Sequence, residues 1–246
     1  MKCLILAAGY ATRLYPLTEN FPKPLLKVQD KTILDWLLDD IDAAGIVGQY
    51  AVVTNHKFAK IFQSWASGHR LPITVLDDGT ESNETRLGAV RDIQFAIEET
   101  LGADDDLLVI AGDNLLDFSL RGFLRYAEEK KTTCIMRYRE PDVNRLRKTG
   151  VAQVDDADRV TDMEEKPANP KSNWCTPPFY LYKAADIPLV KKGIESGCGV
   201  DAPGSFIAWL CKQTTIHAYE MPGRRFDIGN LESYELVRTT YRGIEK

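Results

Sequence analysis

Gly9, Thr12, Arg13 and Lys23 follow closely on an apolar run, Cys3 to Ala8. Such a run reads as a buried strand, and its break at Gly9 opens a small-residue loop. Backbone N–H groups in a loop of that kind lie free at a sheet edge, where a phosphate can sit. Arg13 and Lys23 add fixed positive charge beside those amides. The chemistry this spacing suits is the binding of a polyphosphate. The loop is not a Walker A loop, because no Gly-Lys-Ser/Thr closes it, and it is not Gly-x-Gly-x-x-Gly. A strand followed by a glycine turn is common in α/β proteins, so the loop alone does not decide the matter.

A second chemical position is Gly112-Asp113-Asn114, directly after the apolar run Leu107 to Ala111. In open α/β sheets ligands bind beyond the carboxyl ends of the strands, and a carboxylate there can hold Mg²⁺ against phosphate oxygens. An Asp-Asn pair also turns a chain through an Asx-turn, and the residues alone leave both readings open. Asp162 to Lys166 reads by composition as a solvated run of charge.

The elements that must position these residues alternate over the first half. Thr32 to Ala44 has helical spacing ended by Gly45, and Tyr50 to Thr54 is a strand. Phe58 to Trp65 is a short helix, Ile73 to Leu76 a strand and Leu87 to Ile97 a helix. Leu107 to Ala111 is apolar throughout, as a strand covered on both faces should be. This alternation predicts a mostly parallel sheet built from right-handed crossovers. Further on, strands over 132–138, 150–154 and 179–182 follow one another without helices, which predicts antiparallel pairs. Helices are expected over 185–196, 205–213 and 231–241. Asn169 to Pro178, with three prolines, reads as a loop over a site. No repeat or long linker interrupts the chain, and 1–246 is expected to form one domain.

Composition narrows the classes. A chain of 246 residues with net charge −5 is an ordinary globular size and a poor match to a nucleic-acid binder. No apolar run approaches the ~20 residues that cross a bilayer, and the N-terminus has no signal-peptide pattern. The five cysteines form no C-x-x-C pattern, so reduced, packed thiols in a cytoplasm are expected.

Taken in order, Leu6-Ala7-Ala8-Gly9, Thr12-Arg13-Leu14, Pro16-Leu17-Thr18 and Pro22-Lys23-Pro24-Leu25 resemble the signature of the sugar-phosphate nucleotidyltransferases, which include glucose-1-phosphate thymidylyl- and uridylyltransferases. The resemblance implies an α/β, Rossmann-like (GT-A-like) fold with a mixed, mostly parallel central sheet flanked by helices. Ala11 stands where most members carry a second glycine. Its methyl is tolerable if φ stays negative, but it narrows the approach to the phosphates. Gly112-Asp113-Asn114 matches the first metal-binding aspartate. Arg225 to Asn230 resembles Trp-x-Asp-x-Gly-Thr, which makes Asp227 the second, while Asn230 also suits a helix cap. Glu164-Glu165-Lys166-Pro167 matches a Glu-Lys-Pro motif, with Lys166 toward an acceptor phosphate and Glu165 toward sugar hydroxyls. Gly150-Val151 resembles the strand that packs close to the sugar. Asn83 to Ala89 resembles the base-reading segment, where Gly88 lets the base approach and Thr85 or Arg86 supplies polar contacts.

The activity implied is NTP plus sugar 1-phosphate giving NDP-sugar and pyrophosphate. The nucleotide site is then Leu6, Ala7, Ala8, Gly9, Thr12, Thr85, Gly88 and Asp113, and the sugar-phosphate site is Gly150, Glu165 and Lys166. Arg13, Lys23 and Lys166 are the cations of the reaction, with Mg²⁺ held by Asp113 and Asp227. The implied partners are the two substrates, with no nucleic acid and no membrane, and homo-oligomerisation stays open. Two alternatives stand beside this: a non-catalytic nucleotide-sugar sensor on the same fold, and a cytidylyltransferase acting on a phosphorylated alcohol or amine.

Overall fold

The computed structural model of the chain describes residues 1–244. β1 (Lys2–Leu6) leads through the Gly9 loop to a short ribbon of β2 (Lys27–Val28) and β3 (Lys31–Thr32), then to α1 (Ile33–Ala43). α1 starts where Thr32 and Asp35 cap each other: Thr32 Oγ1 accepts from the Asp35 N–H at 3.0 Å, and Asp35 accepts from the Thr32 N–H at 3.3 Å. β4 (Gln49–Thr54), α2 (His56–Ser67), β5 (Ile73–Asp77), α3 (Ala89–Ala96) and β6 (Leu107–Ala111) complete the alternating half. β1 pairs in parallel with β4 and β6, and β4 with β5.

The second half begins with β7 (Asn114–Leu116), α4 (Arg121–Lys130), β8 (Thr133–Arg139) and α5 (Val143–Leu146). β9 (Gly150–Val154), β10 (Val160–Glu165), β11 (Trp174–Thr176) and β12 (Phe179–Tyr182) then follow without a long helix between them. α6 (Leu189–Glu195), α7 (Gly204–Leu210), β13 (Ile216–Glu220), β14 (Arg225–Asp227) and α8 (Leu231–Thr240) close the chain. The ten-stranded sheet runs β10–β9–β11–β8–β12–β6–β1–β4–β5, with β13 alongside β8, and β14 pairs with β7 in a separate ribbon. The sheet is mixed: parallel from β6 to β5, and antiparallel where β12, β11, β9 and β10 join.

Alternation along β1 explains the two covered faces. Cys3 and Ile5 belong to a core with Leu34, Leu37, Phe58 and Phe123 from α1, α2 and α4. Leu4 belongs to the opposite core, with Val90, Ile93, Val190 and Phe206 from α3, α6 and α7. A third cluster packs Leu14, Ile33, Leu115 and Ile228 against Tyr234, Val237 and Tyr241 of α8. Among the described residues no helix is long and apolar enough to cross a membrane. All five cysteines are unpaired, and Cys3, Cys134 and Cys175 are buried.

Several expectations need correction. The run Asp162 to Glu165 is not merely solvated charge but the end of β10. β10 closes one edge of the sheet, where polar side chains are favoured, while Val160 and Met163 bury. The supposed loop 169–178 contains β11, which pairs with both β8 and β9. The helix placed over 87–97 starts only at Ala89, because Gly88 has φ +92°. The helix placed over 185–196 begins as a single 3₁₀ turn, Ala184–Asp186, and α6 proper starts at Leu189.

Candidate active site

The loop after β1 leaves the amides of residues 8–11 free while the carbonyls of Leu6, Ala7, Ala8 and Ala11 are used. Leu6 O accepts from the Gly112 N–H at 3.0 Å, and Thr54 Oγ1 donates to Ala7 O at 3.4 Å. Asn55 Nδ2 donates to Ala8 O at 3.0 Å, and Thr18 Oγ1 donates to Ala11 O at 2.8 Å. The N–H groups of residues 8–11 donate to no acceptor among the described residues. Four consecutive free donors at the carboxyl end of a parallel strand form an anion-binding concavity. Asn55 was not picked out by sequence reading; it is fully buried and also caps α2 through Oδ1, which accepts from Phe58 N–H at 3.1 Å. Ala11 has φ +47°, so the condition set for its methyl is not met and the residue sits in the left-handed region.

Lys23, on a 3₁₀ turn between Pro22 and Pro24, is 7 % exposed and donates from Nζ to Asp113 Oδ2 at 2.8 Å. Gly112 admits this geometry because a Cβ there would meet Ile5 Cγ2 at 2.8 Å. Asp113 makes no Asx-turn among the described residues; its neighbour Asn114 ties the turn back to the strand. Asn114 is 1 % exposed, and its Nδ2 donates to Ala111 O at 2.9 Å and to Asp113 Oδ1 at 3.1 Å. Burial would raise the Asp113 carboxyl, but Lys23 and then Arg225 outweigh it and hold the group below its ordinary value. Asp113 is therefore a held, ionised carboxylate at the carboxyl end of β6.

Asp227 reaches the same region through strand pairing. The β7–β14 register sets Asp227 opposite Asn114, one residue from Asp113. Arg225, not singled out from sequence, ties the ribbon together: its Nη1 donates to Asn114 Oδ1 at 2.7 Å and lies 4.0 Å from Asp227 Oδ1. Asp227 belongs to β14 and does not start α8; Asn230 caps that helix, accepting from the Ser233 N–H at 2.8 Å. No group of three or more His, Cys, Asp or Glu able to hold a metal occurs among the described residues. Two carboxylates with a remainder left to phosphate oxygens is the donor set that suits Mg²⁺, so these residues fit such an ion.

The Gly9 loop, Arg13, Lys23 and Asp113 meet in a cleft of about 490 Å³ that Arg86, Gly88 and Asp201 also line. A second cleft, about 840 Å³ and rich in arginine, shares Arg13 and is lined by Asp227, Arg225 and Thr149. Thr12 and Thr85 line neither cleft. Thr85 is turned toward Ser82, donating to its carbonyl at 3.2 Å, so the polar wall of that segment is Asn83 and Arg86 instead. Gly88 lines the cleft, but the space beside it is taken by protein: a Cβ would meet Val200 O at 2.6 Å.

Gly150, Glu165 and Lys166, expected on the acceptor side, form a separate group. Gly150 lies against Thr176, Met163 and Glu165, and a Cβ there would come within 2.4 Å of Thr176 Oγ1. Burial raises the Glu165 carboxyl above its ordinary value, and its side chain accepts no hydrogen bond among the described residues. Lys166 has φ +50° immediately before Pro167, a strained backbone of the kind that concentrates at functional sites. Its Nζ lies 3.8 Å from Asp201 Oδ2, and Arg86 Nη2 donates to Asp201 Oδ1 at 2.7 Å. Asp201 thus joins Lys166 to the rim of the first cleft.

A family model for nucleotidyl transferases matches residues 2–242. The chain belongs to the nucleotidyl transferase family. It is 28 % identical to the bifunctional protein GlmU of Methanocaldococcus jannaschii over 93 % of this chain and 51 % of that protein. It is also 28 % identical to the UTP–glucose-1-phosphate uridylyltransferase AglF of Haloferax volcanii, covering 93 % of this chain and 91 % of that one. The chain thus spans about half the length of the first relative and nearly all of the second. A solved structure of a UDP-glucose pyrophosphorylase complexed with UDP-glucose shares the fold, with TM-score 0.79, 20 % identity, and coverage of 98 % of this chain and 97 % of that one.

Proposed function

We propose that this protein transfers a nucleotidyl group from an NTP to a sugar 1-phosphate, releasing pyrophosphate. The observation that carries this reading is a single cleft uniting the free backbone donors of Ala8, Gly9 and Ala11 with Arg13 and the Lys23–Asp113 pair. The names of relatives support the choice of substrates: AglF is named for UTP and glucose 1-phosphate.

In the reaction an oxygen of the acceptor phosphate attacks the α-phosphorus, the bond from that phosphorus to the bridging oxygen breaks, and pyrophosphate departs in line. The acceptor oxygen is already ionised at neutral pH, so no protein nucleophile or general base is needed; positioning and charge stabilisation suffice. The loop amides and Arg13 bind the β- and γ-phosphates, Lys23 lies toward the α-phosphate, and Lys166 holds the acceptor phosphate. Asp113 and Asp227 would hold a divalent ion, which we assign as Mg²⁺, and the chemistry it supplies is neutralisation of phosphate charge. Leu6, Gly9 and Gly88 flank the nucleoside, and Gly150 and Glu165 the sugar; Thr12 and Thr85 are left without a direct role.

Pyrophosphate release measured for four NTPs against several sugar 1-phosphates, with and without excess EDTA, tests this. Turnover should require both substrates and stop in EDTA. Nucleotide-sugar binding without turnover on any acceptor would instead establish the sensor, and turnover only with a phosphorylated alcohol or amine would move the acceptor class.

A further inference from the structure

Asp92 lies on the first turn of α3, four residues past Gly88, and is 5 % exposed. It lines the same cleft as the Leu6–Gly9 loop. Its backbone N–H is used by Gly88 O at 3.0 Å, and its Oδ1 is buried with no hydrogen-bond partner among the described residues. Asp78, nearby, shows the same condition. Its Oδ1 accepts from both the N–H and the hydroxyl of Thr80 at 2.7 Å, whereas Oδ2 is buried and unpartnered. Burial, and then the Asp78 carboxylate, push the Asp92 carboxyl up to about 7.

Nothing in the packing asks for a carboxyl here. Val90, Ile93 and Ala96 anchor α3 in the core, and an alanine at 92 would fit the helix without an orphaned polar atom. An unpaired buried carboxyl oxygen on a residue that lines a cleft costs stability and is a group awaiting a donor. Its place in the cleft says which part of the ligand supplies it. Arg13, Lys23 and the free amides mark the phosphate end, while Asp92 shares its wall with Asn83, Arg86, Gly88 and Ala89.

Resting on the nucleotidyltransferase reading above, we infer that Asp92 is a nucleoside-selecting residue: its free carboxyl oxygen accepts a hydrogen bond from an N–H of the base or an O–H of the ribose. Nucleotides that present a donor there are favoured, and those that present a carbonyl or a bare carbon are disfavoured, since one side of the contact then stays unpaired.

The experiment compares wild type with Asp92→Asn and Asp92→Ala. Each protein is titrated calorimetrically with ATP, CTP, GTP and UTP, and with the 2′-deoxy and 3′-deoxy forms of whichever binds tightest. Pyrophosphate-release kcat/KM is measured in parallel. The tightest nucleotide should lose at least about tenfold in Kd and in kcat/KM in Asp92→Ala and less in Asp92→Asn, whose amide oxygen can still accept, while forms lacking the donor change by less than about threefold. At pH 7 Tm should rise in Asp92→Ala, which removes the unpaired acceptor, and in Asp92→Asn, which removes the buried charge. A flattened ranking among bases assigns the donor to the base; an unchanged base ranking with a lost preference for the ribonucleotide assigns it to a ribose hydroxyl. Either outcome supports the inference. Equal weakening of every ribonucleotide and its deoxy forms alike, or base and ribose rankings both preserved in Asp92→Ala, overturns it and leaves Asp92 a structural residue. If Asp92→Asn does not fold, Asp92→Ala alone decides by the same criteria. A wild type that binds no NTP overturns the nucleotidyltransferase reading itself and this inference with it.

Discussion

At the scale of single residues, the pairing of β14 with β7 makes Asp227→Asn an informative change. It sits on a strand, away from the Asn230 cap, so it should leave Tm nearly unchanged. If both aspartates act through one ion, kcat should fall strongly in Asp227→Asn and in Asp113→Asn, and the double mutant should be little worse than either, as steady-state kinetics can show. A severe effect at Asp113 with a mild one at Asp227 would remove Asp227 from the metal site. Arg13 forms no ion pair among the described residues and lines both clefts. Arg13→Ala should therefore cost about 1.5–3 kcal/mol in kcat/KM for NTP, with little change in Tm. Ala11 makes the opposite kind of test. Its φ of +47° strains an alanine, whereas glycine adopts it freely, so Ala11→Gly should stabilise the fold by roughly 0.5–1 kcal/mol in urea titration.

Elements rather than single groups decide the far wall of the nucleotide cleft. α3 begins where Gly88 lies against the backbone of Val200, and the N–H groups of Val90 and Ala89 donate to Val200 O at 3.0 Å and Asp201 O at 3.3 Å. The helix start and the segment before α7 are therefore one unit. A methyl at 88 would be both strained, at φ +92°, and in contact with a carbonyl at 2.6 Å that cannot swing away. Gly88→Ala should lower stability by about 2 kcal/mol or more and weaken nucleotide binding together with it. A variant that binds nucleotide normally at unchanged Tm would show that the two segments move independently.

For the molecule as a whole, two carboxyls of opposite shift, Asp92 and Asp113, make stability depend on pH. The Asp92 carboxyl is raised to about 7 in the folded chain, against about 3.9 when unfolded. Between those values the unfolded chain has released a proton that the folded chain keeps, so stability falls as pH rises from about 4 to about 7 and is then level. The slope from this group is at most ~1.36 kcal/mol per pH unit. Asp113, held low chiefly by Lys23 against its burial, works the other way: it stabilises above its unfolded pKa and loses that contribution as pH falls through the folded one. Asp92→Asn and wild type should therefore be about equally stable near pH 4, with the variant's advantage opening up to pH 7, as denaturant midpoints across pH would record. A constant gap at every pH would mean that Asp92 does not titrate in that window.

What could be read from the chain alone was set by local chemistry. Apolar runs such as Leu107–Ala111 and the helical spacing of Leu34, Leu37, Leu38 and Ile41 were legible because periodicity and capping are properties of neighbours in sequence. The Gly9 loop, Lys23 and Asp113 were legible because strand-end loops carry ligand chemistry in this class of sheet. β10 and β11 were not, since an edge strand reads as surface charge and a three-residue strand has too few residues to show a period. Asn55 and Arg225 were missed because their partners, Ala8 and Asn114, lie 47 and 111 residues away. The joining of Asp227 to Asp113 is implied only by resemblance, and the β7–β14 register sets Asp227 opposite Asn114, the neighbour of Asp113 in the chain. Asp92 looked like one more polar residue in a helix. Only the packing of α3 on the sheet buries it without a partner beside a cleft, because burial and hydrogen-bond accounting are settled by the tertiary fold and by nothing closer in the sequence.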